Sequence, residues 1–147
     1  MNRVLVLIHL VAVIVWVGGM FFAHFCLRPV AAAQLVPPQR LPLLAAVLGR
    51  FFVMVSVALA ALWGSGLARF AQTGATIPAS WMAMLGLAIA MSVIFGIIVL
   101  RFHRRMVAAV ALQDWPAAGQ AMNAIRVLVL TNLVLGFVTV TIAVFGW

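Results

Sequence analysis

The chain has 147 residues, of which 68% are hydrophobic and 7% charged, whereas a soluble domain has about 25% charged residues. Nine arginines and one aspartate, Asp114, make up all of its charge, and this composition excludes an ordinary soluble domain. The arginines stand singly or in pairs beside apolar runs, which is typical of anchoring to anionic lipid headgroups rather than of nucleic-acid binding. A single cysteine, Cys26, excludes an internal disulfide.

The first apolar stretch predicts a membrane-spanning helix over residues 3–28, because roughly 20 mostly apolar residues cross a bilayer. The stretch is too long for the core of a signal peptide and lacks a small-residue cleavage site, so we expect it to be retained. Proline disfavours helical geometry in the residue before it. Arg28-Pro29 therefore predicts a kink or stop.

Three further apolar stretches predict helices over residues 42–69, 80–112 and 116–147. Asp114 and Pro116 are typical of a helix start, with an acidic cap followed by an early proline. The predicted fold is all-α, an antiparallel bundle of four transmembrane helices in a single integral membrane domain. The last two helices, at about 30 residues each, would be near 45 Å long and project beyond the bilayer.

The arginines also predict an orientation. The two connectors on one side, with the adjacent helix ends, carry seven arginines, and the opposite side carries only Arg3 and Arg69. Under the positive-inside rule, this split predicts a bacterial inner-membrane protein with both termini in the periplasm. Trp81 and Trp147 would then lie at the outer interface, where tryptophan is enriched.

Small residues at four-residue spacing predict close helix contacts. The glycines at such positions are Gly19, Gly64, Gly86, Gly96 and Gly136. We expect Gly86→Leu to force helix three away from its neighbour. Asn132, which lies inside the last span, requires a hydrogen-bond partner.

The spans contain no Asp or Glu, which excludes carboxylate proton relays and di-iron carboxylate sites. Glycine-rich phosphate loops, paired-cysteine zinc motifs and a serine–histidine–acid set are also absent, so the sequence predicts no catalytic residue. The groups that remain for chemistry within the spans are His9, His24, Cys26 and the methionines.

His9 lies about two turns into the first helix, where an ionisable residue usually faces the bundle interior. Neutral imidazole is the commonest metal ligand and an axial ligand of haem. The alternative is a packing role, with His9 hydrogen-bonded to a neighbouring helix through a residue such as Asn132 or Thr139. The residues leave both interpretations open.

Met20, His24 and Cys26 near the other end of this helix are of the soft type that Cu(I) prefers. His24 is roughly 22 Å along the axis from His9, so the two histidines cannot share one metal. Cys26 and His24 do not share a helical face, and methionine in a span is usually a packing residue.

Three basic positions outside the His9 region also require an interpretation. Arg50 either extends to lipid phosphate or, like Arg28, pairs with an anionic ligand such as a haem propionate. His103, followed by two arginines, is interpreted as part of a cytoplasmic anchor cluster in contact with water and lipid.

The sequence resembles the copper resistance D (CopD) family of membrane proteins, in the short single-domain branch found in proteobacteria. The resemblance covers nearly the whole chain through LIHL at 7–10, VWVGGM at 15–20, LRP at 27–29, GRFF at 49–52, MLG at 84–86, IFG at 94–96, DWPAAG at 114–119, IR at 125–126 and NLVLG at 132–136. It is also similar, more distantly, to HemJ-type proteins, which bind haem through a histidine of the first helix.

The CopD resemblance implies copper binding or movement across the inner membrane. His9 would be the outer ligand with Met82, which stands where the family pattern leads us to expect a histidine, and Met20 and His24 would lie on the inner side. The HemJ resemblance implies a haem b oxidoreductase with His9 as axial ligand and Arg28 or Arg50 near the propionates. A third interpretation is a structural or assembly partner of a larger membrane complex, and a homo-oligomer also stays open.

Overall fold

The chain forms four long antiparallel helices. The computed structural model describes residues 2–74 and 76–146, and this part contains helices and no strand. The helices are α1 (Arg3–Gln34), α2 (Pro37–Gln72), α3 (Ala79–Ala111) and α4 (Trp115–Phe145), and each is long and apolar enough to cross a membrane. The predicted all-α four-helix bundle of a multi-pass membrane protein is therefore confirmed.

The helices are longer than a bilayer requires. At 1.5 Å per residue they measure about 46 to 54 Å, whereas the hydrocarbon core of a bilayer is about 30 Å thick. The predicted length of helices three and four is thus confirmed, and α1 and α2 are equally long. Trp147, expected at the outer interface, lies outside the described residues.

Helix α1 does not stop at Arg28-Pro29, so the predicted end of the first helix at residue 28 is wrong. A π-helical turn at Ala23–Leu27 precedes the proline, and helix continues to Gln34. A proline ring clashes with the carbonyl group four residues earlier, and the wider π turn displaces that carbonyl. Helix α2 likewise begins earlier than predicted, at Pro37, where a first-turn proline needs no hydrogen bond.

Two further π-helical turns interrupt the bundle. Ile14–Gly18 in α1 contains Trp16, and Ile98–His103 in α3 ends at His103. A π turn accommodates one extra residue and is frequent at functional sites. Both turns border the aromatic centre of the bundle.

Three aromatic rings form that centre. Trp16 meets Phe95 edge-on with ring centroids 6.1 Å apart, and Phe95 meets Phe52 in the same way at 5.9 Å. These rings join α1, α2 and α3, and all three residues are buried. Large apolar side chains on the outer surfaces, such as Val57 and Val93, are exposed, as expected for helices that face lipid.

Glycines allow close contacts at two of the five predicted positions, and nothing lies within 4 Å of a Cβ placed at Gly64 or Gly96. A methyl group at Gly19 would overlap the ring of Phe51, and one at Gly136 would lie 3.0 Å from Val17 Cγ2. Gly86 is exposed and nothing lies within 4 Å of a Cβ placed there. The predicted contact at Gly86 is therefore wrong, because this face of α3 is turned away from the other helices.

The side-chain nitrogen of Asn132 has a hydrogen-bond partner, whereas its buried Oδ1 atom has none among the described residues. Its side chain is fully buried, and Nδ2 donates a hydrogen bond of 3.1 Å to the backbone oxygen of Met91. This bond ties α4 to α3 in the middle of the membrane-spanning region.

Candidate functional site

His9 is held by a serine of the neighbouring helix. The Nδ1 atom of His9 lies 3.0 Å from the hydroxyl oxygen of Ser65, which is buried in α2. The expected partner of His9, Asn132 or Thr139, is therefore wrong. Both of those belong to α4, whereas His9 faces α2.

The hydrogen bonds of Ser65 define the protonation pattern of His9. The Ser65 hydroxyl donates to the backbone oxygen of Ala61 at 2.7 Å and also lies 3.2 Å from that of Leu62. Since a hydroxyl has one hydrogen, its oxygen is left to accept a hydrogen bond from His9 Nδ1. We therefore assign the Nδ1–H tautomer, which leaves Nε2 as a lone-pair donor. A metal-binding histidine usually has this arrangement, with its other nitrogen donating to a protein oxygen.

His9 lines a cavity of about 270 Å³ between the four helices, in the half of the bundle where α1 begins and α4 ends. The walls are almost wholly apolar, and three tryptophans contribute to them. The side chains that bear on chemistry are His9, Trp16, Trp63, Arg69, Trp81, Met84, Met91 and Thr139.

Two methionines that line this cavity, Met84 and Met91, lie at different depths along α3, and His9 lies at a depth between them. Phe70 packs edge-on against Trp81 at 5.6 Å, and Trp63 Nε1 donates to Ser92 Oγ at 3.1 Å. Residues 81–92 of α3 are thus opposite residues 70–63 of α2. Ser65, and His9 with it, therefore lies at a depth between Met84 and Met91.

The two ends of the cavity differ in character. At the end nearer the chain termini the Arg69 guanidinium lies over the Trp81 ring, 4.8 Å from its centroid. Toward the opposite end Trp16 packs on Phe95. Met91 also lines the cavity, and its sulfur lies 4.0 Å from the Thr139 hydroxyl oxygen. Aromatic packing thus separates the cavity from the opposite half of the bundle.

The other predicted metal ligands lie away from His9. Met20 is in the buried core and His24 lines a separate cleft at the inner end of α1. Met82 is 52% exposed and does not line the cavity, because it points away from the face that carries Met84 and Met91. Among the described residues, no three His, Cys, Asp or Glu side chains come together as a metal site. Any metal at His9 would therefore depend on methionine.

The structure does not bring Arg28 or Arg50 to His9. Arg28 is nineteen residues further along α1, or about 28 Å at 1.5 Å per residue, and it lines the cleft with His24. Arg50 is exposed on α2. The arginine that lines the His9 cavity is Arg69.

His103 is not a solvated anchor, so that interpretation is wrong. Its Nε2 lies 3.0 Å from the backbone oxygen of Ala45, and its ring meets Phe52 edge-on at 5.1 Å. The carbonyl can only accept, so Nε2 is the donor. The π turn that ends at His103 accompanies this inward position between α3 and α2.

Ser65, Met84, Met91 and Arg69 accompany His9 at the site, and the sequence did not single out Ser65 or Arg69 for this role. A serine within a helix usually bonds its own backbone, so nothing in its local sequence indicates that Ser65 also faces His9. Met84 and Met91 are seven residues apart and so share one face, which was the available signal.

Comparisons with known proteins give no family assignment: no family model, curated protein or solved structure matches the chain. The class of the protein thus rests on its fold, a bundle of four helices long and apolar enough to cross a membrane, with a cavity lined by His9.

Proposed function

We propose that this protein binds copper, as Cu(I), in the cavity lined by His9. The observation that carries the proposal is the Ser65-held imidazole in the same cavity as the thioethers of Met84 and Met91. Imidazole and thioether ligands suit Cu(I), and a neutral set of ligands adds no charge within the membrane. The CopD resemblance supports the same role, in copper binding or movement across the inner membrane.

The direction of access follows from the arginine distribution. If both termini are periplasmic, the outer end of the cavity, near Arg69 and Trp81, faces the periplasm. Copper would then enter from that side and meet Met84, His9 and Met91 in order of depth. Passage to the cytoplasm would require Trp16 and Phe95 to separate, so the present arrangement corresponds to a binding state.

The test is a Cu(I) titration of the detergent-purified protein under anaerobic conditions against a chromogenic chelator. We expect one tight site in the wild type, and a loss of more than about tenfold in affinity for His9→Ala, since a missing ligand has no substitute nearby. Met84→Leu should weaken binding, and its matched control, the exposed Met82→Leu, should not. Full affinity in His9→Ala would refute the proposal.

A second candidate, a haem-bearing oxidoreductase, is favoured by the size of the cavity. A volume of about 270 Å³ far exceeds a metal ion and approaches the 300–1,000 Å³ of ordinary small-molecule sites. His9 would supply the axial nitrogen, and Arg69 would be the cation nearest to a carboxylate. Haem would supply the electron-transfer chemistry. A macrocycle would lie partly in lipid.

An absorption spectrum with metal analysis of the same sample separates these candidates. A Soret band that disappears in His9→Ala supports haem, and a colourless protein that retains copper supports the first proposal. A folded protein that binds neither would refute both and leave the third role, a structural partner in a membrane complex.

A further inference from the structure

A second cleft lies at the opposite end of the bundle from the His9 cavity. His24 and Arg28 of α1 and Arg126 of α4 line it, and its remaining walls are apolar side chains of α1, α2 and α4 such as Leu44 and Val129. Its volume of about 20 Å³ exceeds the roughly 10–15 Å³ needed to hold one water-sized group. The cleft, which Arg28 and Arg126 both line, therefore has room for a single oxygen atom.

The charge in this cleft is not balanced by the protein. The Nε atom of Arg126 is buried and has no hydrogen-bond partner among the described residues, although a buried donor that lacks an acceptor is costly. Arg40 adds a third guanidinium close enough to act electrostatically on Arg28. Like charges that act on one another repel unless an anion lies between them.

The one carboxylate of the chain serves elsewhere. Asp114 accepts a hydrogen bond of 3.2 Å from the backbone nitrogen of Ala117 and so caps α4. It precedes Arg126 by twelve residues, or about 18 Å along the helix. The counter-charge for Arg28 and Arg126 must therefore come from outside the chain.

We infer that this cleft is a binding site for a phosphate group, supplied by an anionic phospholipid of the leaflet at the arginine-rich end. One phosphate oxygen would enter between Arg28 and Arg126, which donate charge-assisted hydrogen bonds to it. Leu130, one turn after Arg126 on the same face of α4, is exposed, so the surface beside the cleft is apolar toward the membrane interior, where an acyl chain would lie. This feature favours a lipid over free phosphate as the source.

The test measures lipid retention by native mass spectrometry of the full-length protein in detergent. We expect the wild type to retain phosphatidylglycerol in preference to phosphatidylcholine. Arg126→Gln should lose about tenfold or more of this retention, because it removes a charge-assisted bond. Arg50→Gln, which removes an exposed arginine at the same end of the bundle, is the matched control and should retain the lipid.

Two further measurements make the result decisive. Arg126→Lys keeps the charge without the planar fork of donors, so it should retain an intermediate amount of lipid, and it replaces Arg126→Gln if that variant fails to fold. Inorganic phosphate added without lipid should not occupy the cleft. Equal retention of both lipids, equal loss in Arg126→Gln and Arg50→Gln, or occupancy by phosphate alone would overturn the assignment.

Discussion

Ser65→Ala tests whether His9 is a positioned ligand or a packing residue. The substitution removes the acceptor of the 3.0 Å contact with Nδ1 and leaves the space of one hydroxyl group. Hydrogen bonds between membrane helices are worth about 0.6 kcal/mol on average and about 1.7 at most, so we expect a small loss of stability. Loss of an outer-shell partner commonly costs 10–100-fold in metal affinity. Copper binding should therefore fall by about tenfold or more while the protein stays folded.

The assay is the Cu(I) titration combined with thermal unfolding in detergent. Ser56→Ala is the matched control, because the exposed Ser56 bonds its own helix in the same way, donating to the Phe52 oxygen at 2.8 Å, without touching a histidine. In the double variant of Ser65 and His9, binding should be no weaker than in His9→Ala alone. Losses that add, or equal affinities for Ser65→Ala and Ser56→Ala, would show that Ser65 does not orient the ligand.

Three other predictions concern packing and topology. Gly19→Leu should destabilise the bundle by about 1–3 kcal/mol through overlap with Phe51, whereas Gly86→Leu should be nearly neutral; comparable melting temperatures in detergent would count against the contact at Gly19. His103→Ala should lower the free energy of unfolding by about 1–2 kcal/mol, because the hydrogen bond to the Ala45 oxygen is lost. The melting temperature should fall accordingly, and an unchanged value would mean that this bond contributes nothing. A reporter that is active only in the periplasm should work when fused to the C-terminus, and activity confined to a cytoplasmic reporter would reverse the topology.

The number and apolar character of the helices could be predicted because they depend on where the long apolar runs lie, whereas α1 and α2 extend beyond their predicted ends. A run of about 20 apolar residues has few alternatives to a helix in lipid. The positions of the arginines could be read directly from the sequence, and they lie at or near the ends of the apolar runs. Asn132 was predicted to need a partner, and the Met91 carbonyl supplies one.

The helix contacts could not be predicted in the same way. Gly86 and Gly19 look alike in sequence, but only Gly19 faces another helix. The side chain that holds His9 belongs to a residue 56 positions later, and no local pattern pairs Ser65 with it. Pro29 was expected to kink or end α1 because proline disfavours helical geometry in the residue before it. The π turn that lets the helix continue leaves no sign in the sequence.

The π turn at Ile14–Gly18 has a consequence for the way this chain relates to any relative. Each residue of an α-helix is rotated by about 100° about the helix axis from the one before it. The extra residue in this turn therefore decides which faces of α1 carry His9, before the turn, and Met20, after it. A relative with a regular helix here would be one residue shorter, and its alignment would need a gap between positions 13 and 19. Without that gap, every residue on one side of the turn would be matched to a neighbour on the wrong face.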